Sequence, residues 1–305
     1  MFIGPKYRFA SRRALAARVA LPAILLVAAG VCSASSSTDP LTGPAFAYVS
    51  QEAVDGIAQV SVTYPSNGAT VRGVVYLPAG NGSHPGVLLN HDGSHGVDAA
   101  LMRRARDLAK QGYVVMTPAY RSDSGSLGKA TENAQEVGDV LAAAQGLAQH
   151  PRVADKQLAI MGTSHGAFVS MLAVMQSPKQ FRCVAHASGA ADVPREASKV
   201  KIPVLLQHGW KDEVVEIGDA MYLGAEMRRS GNATAKVREY SLLGHNLWFS
   251  NDPAFGNDQV SQANWAWEDL TTFLDTYMQR GQANTQTRDD RQPVKAGMGV
   301  TPSGQ

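Results

Sequence analysis

Nine residues, Leu158-Ala159-Ile160-Met161-Gly162-Thr163-Ser164-His165-Gly166, constrain this chain more than any other stretch. An apolar run with strand character ends in Gly-Thr-Ser-His-Gly, a match to G-x-S-x-G, and continues into the helix-like Ala167-Phe168-Val169-Ser170-Met171-Leu172-Ala173. Strand, turn and helix in that order place Ser164 at the exposed end of a strand. The turn is strained, and the glycines are needed because side chains there would collide with the following helix or the preceding strand. The five-letter pattern also occurs in ordinary glycine-rich turns, so the rest of the chain has to decide its meaning.

The N-terminus is set apart from the fold. Lys6, Arg8, Arg12, Arg13 and Arg18 precede the uninterrupted apolar run from Ala20 to Val31, and small residues follow at Cys32-Ser33-Ala34. This order reads as a secretory signal over residues 1–34, cleaved near Ala34. The run is too short to span about 30 Å of hydrocarbon, so no stable membrane insertion is expected after cleavage. Ser11-Arg12-Arg13 is compatible with a twin-arginine route to the periplasm or the exterior. Val31 stands where a lipobox ahead of Cys32 needs a small residue.

Those 34 residues hold five of the 28 basic residues and none of the 26 acidic ones, leaving 23 against 26, a net charge of −3. The apparent basicity is therefore export machinery and gives no sign of a nucleic-acid partner. Of the two cysteines only Cys183 remains after cleavage, so no intramolecular disulfide can form. An apolar content of 44% is ample for a large core.

Residues 35–52 read as a polar linker. The alternation from Ile57 to Tyr64, the turn at Pro65-Ser66-Asn67-Gly68 and the return from Val71 to Leu77 predict an antiparallel pair. Wholly apolar Gly86-Val87-Leu88-Leu89 predicts a strand buried on both faces. A helix follows with Asp98 as N-cap and Gly112 as its stop, then strand Tyr113–Thr117 and a helix from about Thr131 to Gln149. After the Ser164 unit come strands at 181–187, 203–208 and 236–240, with helices from about Asp219 to Arg229 and from about Gln262 to Arg280. Alternating strands and helices predict one α/β domain over 53–280, a mostly parallel sheet covered on both faces. Residues 281–305 are polar and aperiodic and read as a disordered tail.

In such a sheet, functional groups gather beyond the carboxyl ends of strands. The strand ending at Gln207 is followed by His208-Gly209-Trp210-Lys211-Asp212-Glu213-Val214-Val215, and the last strand by Ser241-Leu242-Leu243-Gly244-His245. Ser164, Asp212 and His245 thus follow in the order Ser, Asp, His. A serine hydroxyl is a poor nucleophile near neutral pH, so an imidazole must take its proton and return it to the leaving group. His245 fits that role, and Asp212, with Glu213 as its rival, would orient the ring. A tetrahedral oxyanion needs N–H donors, for which His165 and the loop His91-Asp92-Gly93 are the candidates, Gly93 ahead of Asp92. No cofactor and no metal is required.

These residues resemble the α/β-hydrolase superfamily, and within it the dienelactone-hydrolase-like and prolyl-oligopeptidase-like branch. The resemblance runs from about Ile57 to Met278. It is carried by His91-Asp92-Gly93 in place of His-Gly-Gly, Gly112-Tyr113-Val114-Val115 through Pro118-Ala119-Tyr120-Arg121, Gly162-Thr163-Ser164-His165-Gly166, His208-Gly209 to Asp212 with Val214-Val215, and Gly244-His245. It implies an α/β-hydrolase fold and a serine hydrolase acting on carboxylic esters through an acyl-enzyme. Asp92 and Ala167 depart from the family's glycines, and Ser164 stands where dienelactone hydrolases proper have a cysteine. Gly189 and Pro203 are too close in sequence for a large cap domain.

Tyr120, Arg121, Trp210 and Trp248 are candidates for a substrate pocket, although either tryptophan would serve equally to shield the acid of the triad. Cys183, in a strand pattern, reads as a buried small hydrophobe. His91 and His95 lack a third metal ligand at a recognisable spacing. His186 and His208, at strand ends, read as packing residues or supports of the site. An oligopeptidase-type peptidase, acyl transfer to an alcohol, and a non-catalytic binding protein on the same fold are the alternatives.

Overall fold

The computed structural model describes residues 41–93, 96–121, 133–154, 156–189, 195–250 and 256–278 of the 305-residue chain. Residues 1–34, expected to be a signal, the tail after 280 and His95 lie outside the described residues, as does most of the loop after Arg121.

Nine strands form one sheet: β1 (Ala47–Val54), β2 (Ile57–Ser66), β3 (Ala69–Leu77), β4 (Gly86–Asn90), β5 (Val114–Pro118), β6 (Leu158–Thr163), β7 (Phe181–Ala187), β8 (Val204–Gly209) and β9 (Lys236–Tyr240). Their order is β1-β2-β3-β5-β4-β6-β7-β8-β9. The first three strands and their junction with β5 are antiparallel, and every pair from β5 to β9 is parallel. Helices α1 (Ala99–Lys110), α2 (Asn133–Ala148), α3 (His165–Gln176), α4 (Ile217–Arg229) and α5 (Asn257–Tyr277) connect and cover the strands.

Strand periodicity divides the core in two. Leu88 of β4, Leu158 and Ile160 of β6, and Val204 and Leu206 of β8 pack with α2, α3 and α4. Their neighbours Val87, Leu89, Ala159, Met161 and Leu205 face the other way, onto α1 and α5. A run buried on both faces has no polar side to show, which is why these strands are continuously apolar in sequence. The architecture is the α/β-hydrolase fold, with no large cap among the described residues.

Two boundaries differ from the sequence reading. Residues 47–54, expected to lie mostly in a linker, form edge strand β1, antiparallel to β2. Its side chains are exposed along nearly its whole length, so no alternation of hydrophobicity marks it. Its entry is anchored by Phe46, buried edge-on against Tyr64 and packed where Gly146 leaves α2 without a side chain. The last helix also begins earlier, at Asn257 rather than near Gln262, through a polar first turn.

The chain crosses from β4 to β5 on one side and then to β6 on the other, so β4 is the switch point where loops diverge above the sheet. The loop after β4 and the loop after β6 stand side by side there, with Asn90 in register with Gly162.

Phe46→Ala should lower unfolding free energy by about 3–5 kcal/mol in urea titrations, through the cavity it leaves at Gly146, with turnover unchanged.

Candidate active site

Ser164 sits between β6 and α3 at φ 53°, ψ −122°, a left-handed region that a residue with a side chain occupies only under constraint. The constraint is local packing. The Ser164 N–H donates to the Ala187 carbonyl of β7, and its carbonyl accepts from Ala167 and Phe168. A Cβ on Gly162 would overlap the Gly166 carbonyl, and one on Gly166 would overlap the carbonyls of Asn90 and His91 at the end of β4. Both glycines are thus demanded by close backbone approach, and the wall facing Gly166 is the neighbouring strand. Asn90 adds a stitch, donating to Ser170 Oγ, which donates to the Gly166 carbonyl.

The loops after β8 and β9 carry the partners. Trp210 N–H donates to the Tyr240 carbonyl and Lys211 N–H to the Leu243 carbonyl, at 2.9 Å each, and Gly209 lets the two loops close together. This lacing brings His245 over Ser164. His245 Nε2 is 2.9 Å from Ser164 Oγ, and Nδ1 is 3.0 Å from both carboxylate oxygens of Asp212. The Asp212 side chain has no solvent exposure, whereas Glu213 is exposed. Val214 and Val215 N–H groups each donate to Asp212 Oδ1 at 2.9 Å. Burial alone would raise the Asp212 carboxyl, but the Val215 N–H, His245 and the Val214 N–H outweigh it and hold it below its ordinary value. An ionised, oriented carboxylate therefore faces a ring nitrogen whose opposite nitrogen reaches a serine hydroxyl.

His165 opens α3, and the first N–H groups of a helix have no intrahelical acceptor. Gly93 lies against it, and a Cβ there would fall 3.3 Å from His165 Cβ. The described loop after β4 and the start of α3 thus converge above Ser164. Asp92 lines a cavity of about 140 Å³ together with His91, Leu101, Thr163, Asn246 and Phe249. Thr163 immediately precedes Ser164 and Asn246 follows His245, so this cavity adjoins the triad.

None of the four expected pocket residues lines it. Tyr120 is buried, stacked on His91 at 3.9 Å between centroids, and its hydroxyl donates to the His91 carbonyl. It props the loop after β4. Arg121 is also buried, and its guanidinium and backbone N–H bind the fully buried Asp139 of α2, the shortest contact being 2.6 Å. The bond to Asp139 raises Arg121 above its ordinary value, so the cation is held within the fold. Trp248 is buried against Trp267, donates to Gln207, and its carbonyl accepts from Arg104. Trp210 is 57% exposed and donates to Glu239, so Asp212 is kept dry by other groups.

Asn246 and Phe249 were findable only as neighbours of His245. Glu136 of α2, whose carboxylate meets His165 Nε2 at 2.6 Å, carries no sequence signal at all. Cys183 is fully buried in β7 and its thiol is pushed up to about 12 by burial, which leaves it neutral and inert. Among the described residues no group of three or more His, Cys, Asp or Glu is placed to hold a metal ion.

The model of the dienelactone hydrolase family matches residues 71–278, which include every residue of this site. The chain belongs to the dienelactone hydrolase family. This dienelactone hydrolase family member is 27% identical over 219 residues to the uncharacterized peptidase YtmA of Bacillus subtilis (strain 168), covering 61% of this chain and 85% of that protein. Among solved structures it is similar to the esterase Pf2001 of Pyrococcus furiosus, with a TM-score of 0.62 at 16% identity over 76% of this chain and 98% of that one. It is also similar to the acylaminoacyl peptidase of Pyrococcus horikoshii, with a TM-score of 0.62 at 14% identity over 75% of this chain but 43% of the other. At such identities the structural likeness speaks for the fold, and the family match makes this a hydrolase.

Arg121→Leu leaves Asp139 buried without a partner and should cost about 3–5 kcal/mol of stability. Denaturant titration beside steady-state kinetics should show that loss with KM unchanged for neutral and anionic substrates alike.

Proposed function

We propose that this chain is an exported serine hydrolase that cleaves carboxylic esters with small acyl groups through an acyl-enzyme. The observation that carries the reading is the single imidazole of His245 bridging Ser164 Oγ at 2.9 Å and the buried Asp212 carboxylate at 3.0 Å. His245 Nε2 takes the Ser164 proton as Oγ forms a bond to the ester carbonyl carbon. The oxyanion faces the His165 and Gly93 N–H groups, and collapse of the tetrahedral adduct expels the alcohol, which leaves with the proton from His245. Water, deprotonated by the same nitrogen, then releases the acid and restores the hydroxyl.

The acyl preference rests on the cavity beside Thr163 and Asn246. At about 140 Å³ it matches the void of about 150 Å³ that accepts a benzene ring in another protein, and Leu101 and Phe249 give it apolar walls. Export rests on the basic and apolar order of residues 1–34. A peptidase is the second reading, favoured by the name of the Bacillus relative. Amide substrates would need protonation of an amine leaving group by the same His245 and a seat for an extended chain.

Mature protein should turn over acetyl and butyryl p-nitrophenyl esters with kcat/KM at least about tenfold above aminoacyl anilides. Ser164→Ala should reduce that turnover by about 10³-fold or more while circular dichroism and melting stay unchanged. Anilides hydrolysed faster than esters would give the site to peptides, and undiminished ester turnover in Ser164→Ala would remove the serine from the mechanism.

A further inference from the structure

Behind the triad, on the side of Asp212 away from His245 Nε2, a second histidine faces the same carboxylate. His208, near the end of β8, is fully buried, and its Nε2 lies 3.0 Å from Asp212 Oδ2 and 2.9 Å from the Val215 carbonyl oxygen. Both of those neighbours can only accept, because the Asp212 carboxyl is held ionised and a carbonyl carries no proton. Nε2 must therefore carry the ring proton. Nδ1 is buried with no hydrogen-bond partner among the described residues.

We propose that His208 is a positioning residue for the reaction, acting through Asp212: its Nε2–H holds the Val215 carbonyl at 2.9 Å while the ring nitrogen stands 3.0 Å from Asp212 Oδ2, and the turn so held fixes how that carboxylate meets His245. The proposal rests on the serine-hydrolase reading above. Asp212 belongs to a loop, and a loop carboxylate has rotational freedom unless its lone pairs are used. Here Oδ1 accepts from Val214 and Val215 N–H groups, so its position is set from one side. Oδ2 has only His245 Nδ1 and His208 Nε2 close to it among the described residues. The Val215 residue is gripped twice, by its N–H on Asp212 and by its carbonyl on His208, so the turn from Asp212 to Val215 closes on β8 as one unit. Such outer supports fix the geometry of the groups that react.

The other groups around His208 do not replace it. Burial first, and then its neighbour His208, push His186 of β7 down to about 4, so it adds no charge near neutral pH. On β9 the register partner is Glu239, which is exposed and bonded to Trp210. His245 approaches from the loop after β9, and Lys211 and Glu213 on the intervening loop are exposed.

His208→Leu should lower kcat by about tenfold or more with KM within about twofold. His208→Gln, which keeps an amide N–H of similar reach, should recover most of the loss. Because leucine at a buried histidine can cost the fold, the tautomer is read in the wild-type protein by ¹⁵N-detected NMR of labelled histidines. The expected signal is a proton on His208 Nε2, the nitrogen that faces the Val215 carbonyl. An unprotonated Nε2 overturns the proposal, as does a folded His208→Leu protein with wild-type kcat. If Ser164→Ala were still active the serine mechanism would fall first. If Ser164→Ala is dead and either of those two results appears, only the role of His208 falls.

Discussion

The structure of the site depends on one close approach, that of the first turn of α3 to the end of β4. Gly166 lies against the carbonyls of Asn90 and His91, and Gly162 lies under Gly166, with no room for a Cβ at either position. The backbone between them is forced through φ 53° at Ser164. Such a conformation costs on the order of 1–3 kcal/mol and persists only because the surrounding contacts over-determine it. In return the hydroxyl stands clear of the sheet, and the first N–H groups of α3 face the loop after β4. In the proposed mechanism, nucleophile and oxyanion donors thus come from the same packing event.

The other half of the site is built from loops and would be mobile without fasteners. The loops after β8 and β9 are laced by backbone bonds from Trp210 and Lys211, and Asp212 is fixed by donors from Val214, Val215 and His245. Those donors also keep an entirely buried carboxylate ionised against its desolvation. Electrostatic preorganisation of this kind is the part of hydrolytic catalysis that a fold can supply in advance, since the dipoles need not reorient as charge develops. Two buried arginines are bound into the fold, Arg121 by Asp139 and Arg104 by the Trp248 carbonyl and the Trp267 ring.

The sheet and its covering helices were legible because buried parallel strands leave unbroken apolar runs and their helices leave spaced ones. The order Ser164, Asp212, His245 was legible because each residue follows a strand end, and strand ends share one side of a parallel sheet. What the sequence hides has a common cause. β1 is held by its backbone ladder and by Phe46, and its side chains encode nothing. Tyr120, Arg121 and Trp248 stand near the triad in sequence pattern, yet each is turned inward by a partner on another element: His91, Asp139 and Gln207. The Glu136 and His165 contact joins residues 29 apart with no motif to announce either. Local pattern reports which residues reach the rim of the sheet, while tertiary partners decide which of them face the substrate.

The central claim is that Ser164 is activated by its surroundings. It is tested most directly by titrating the folded protein with a fluorophosphonate and mapping the adduct by peptide mass spectrometry. The account predicts one equivalent bound, on Ser164, with labelling lost in His245→Ala. A folded protein that remains unlabelled, or carries the adduct at another residue, would contradict it.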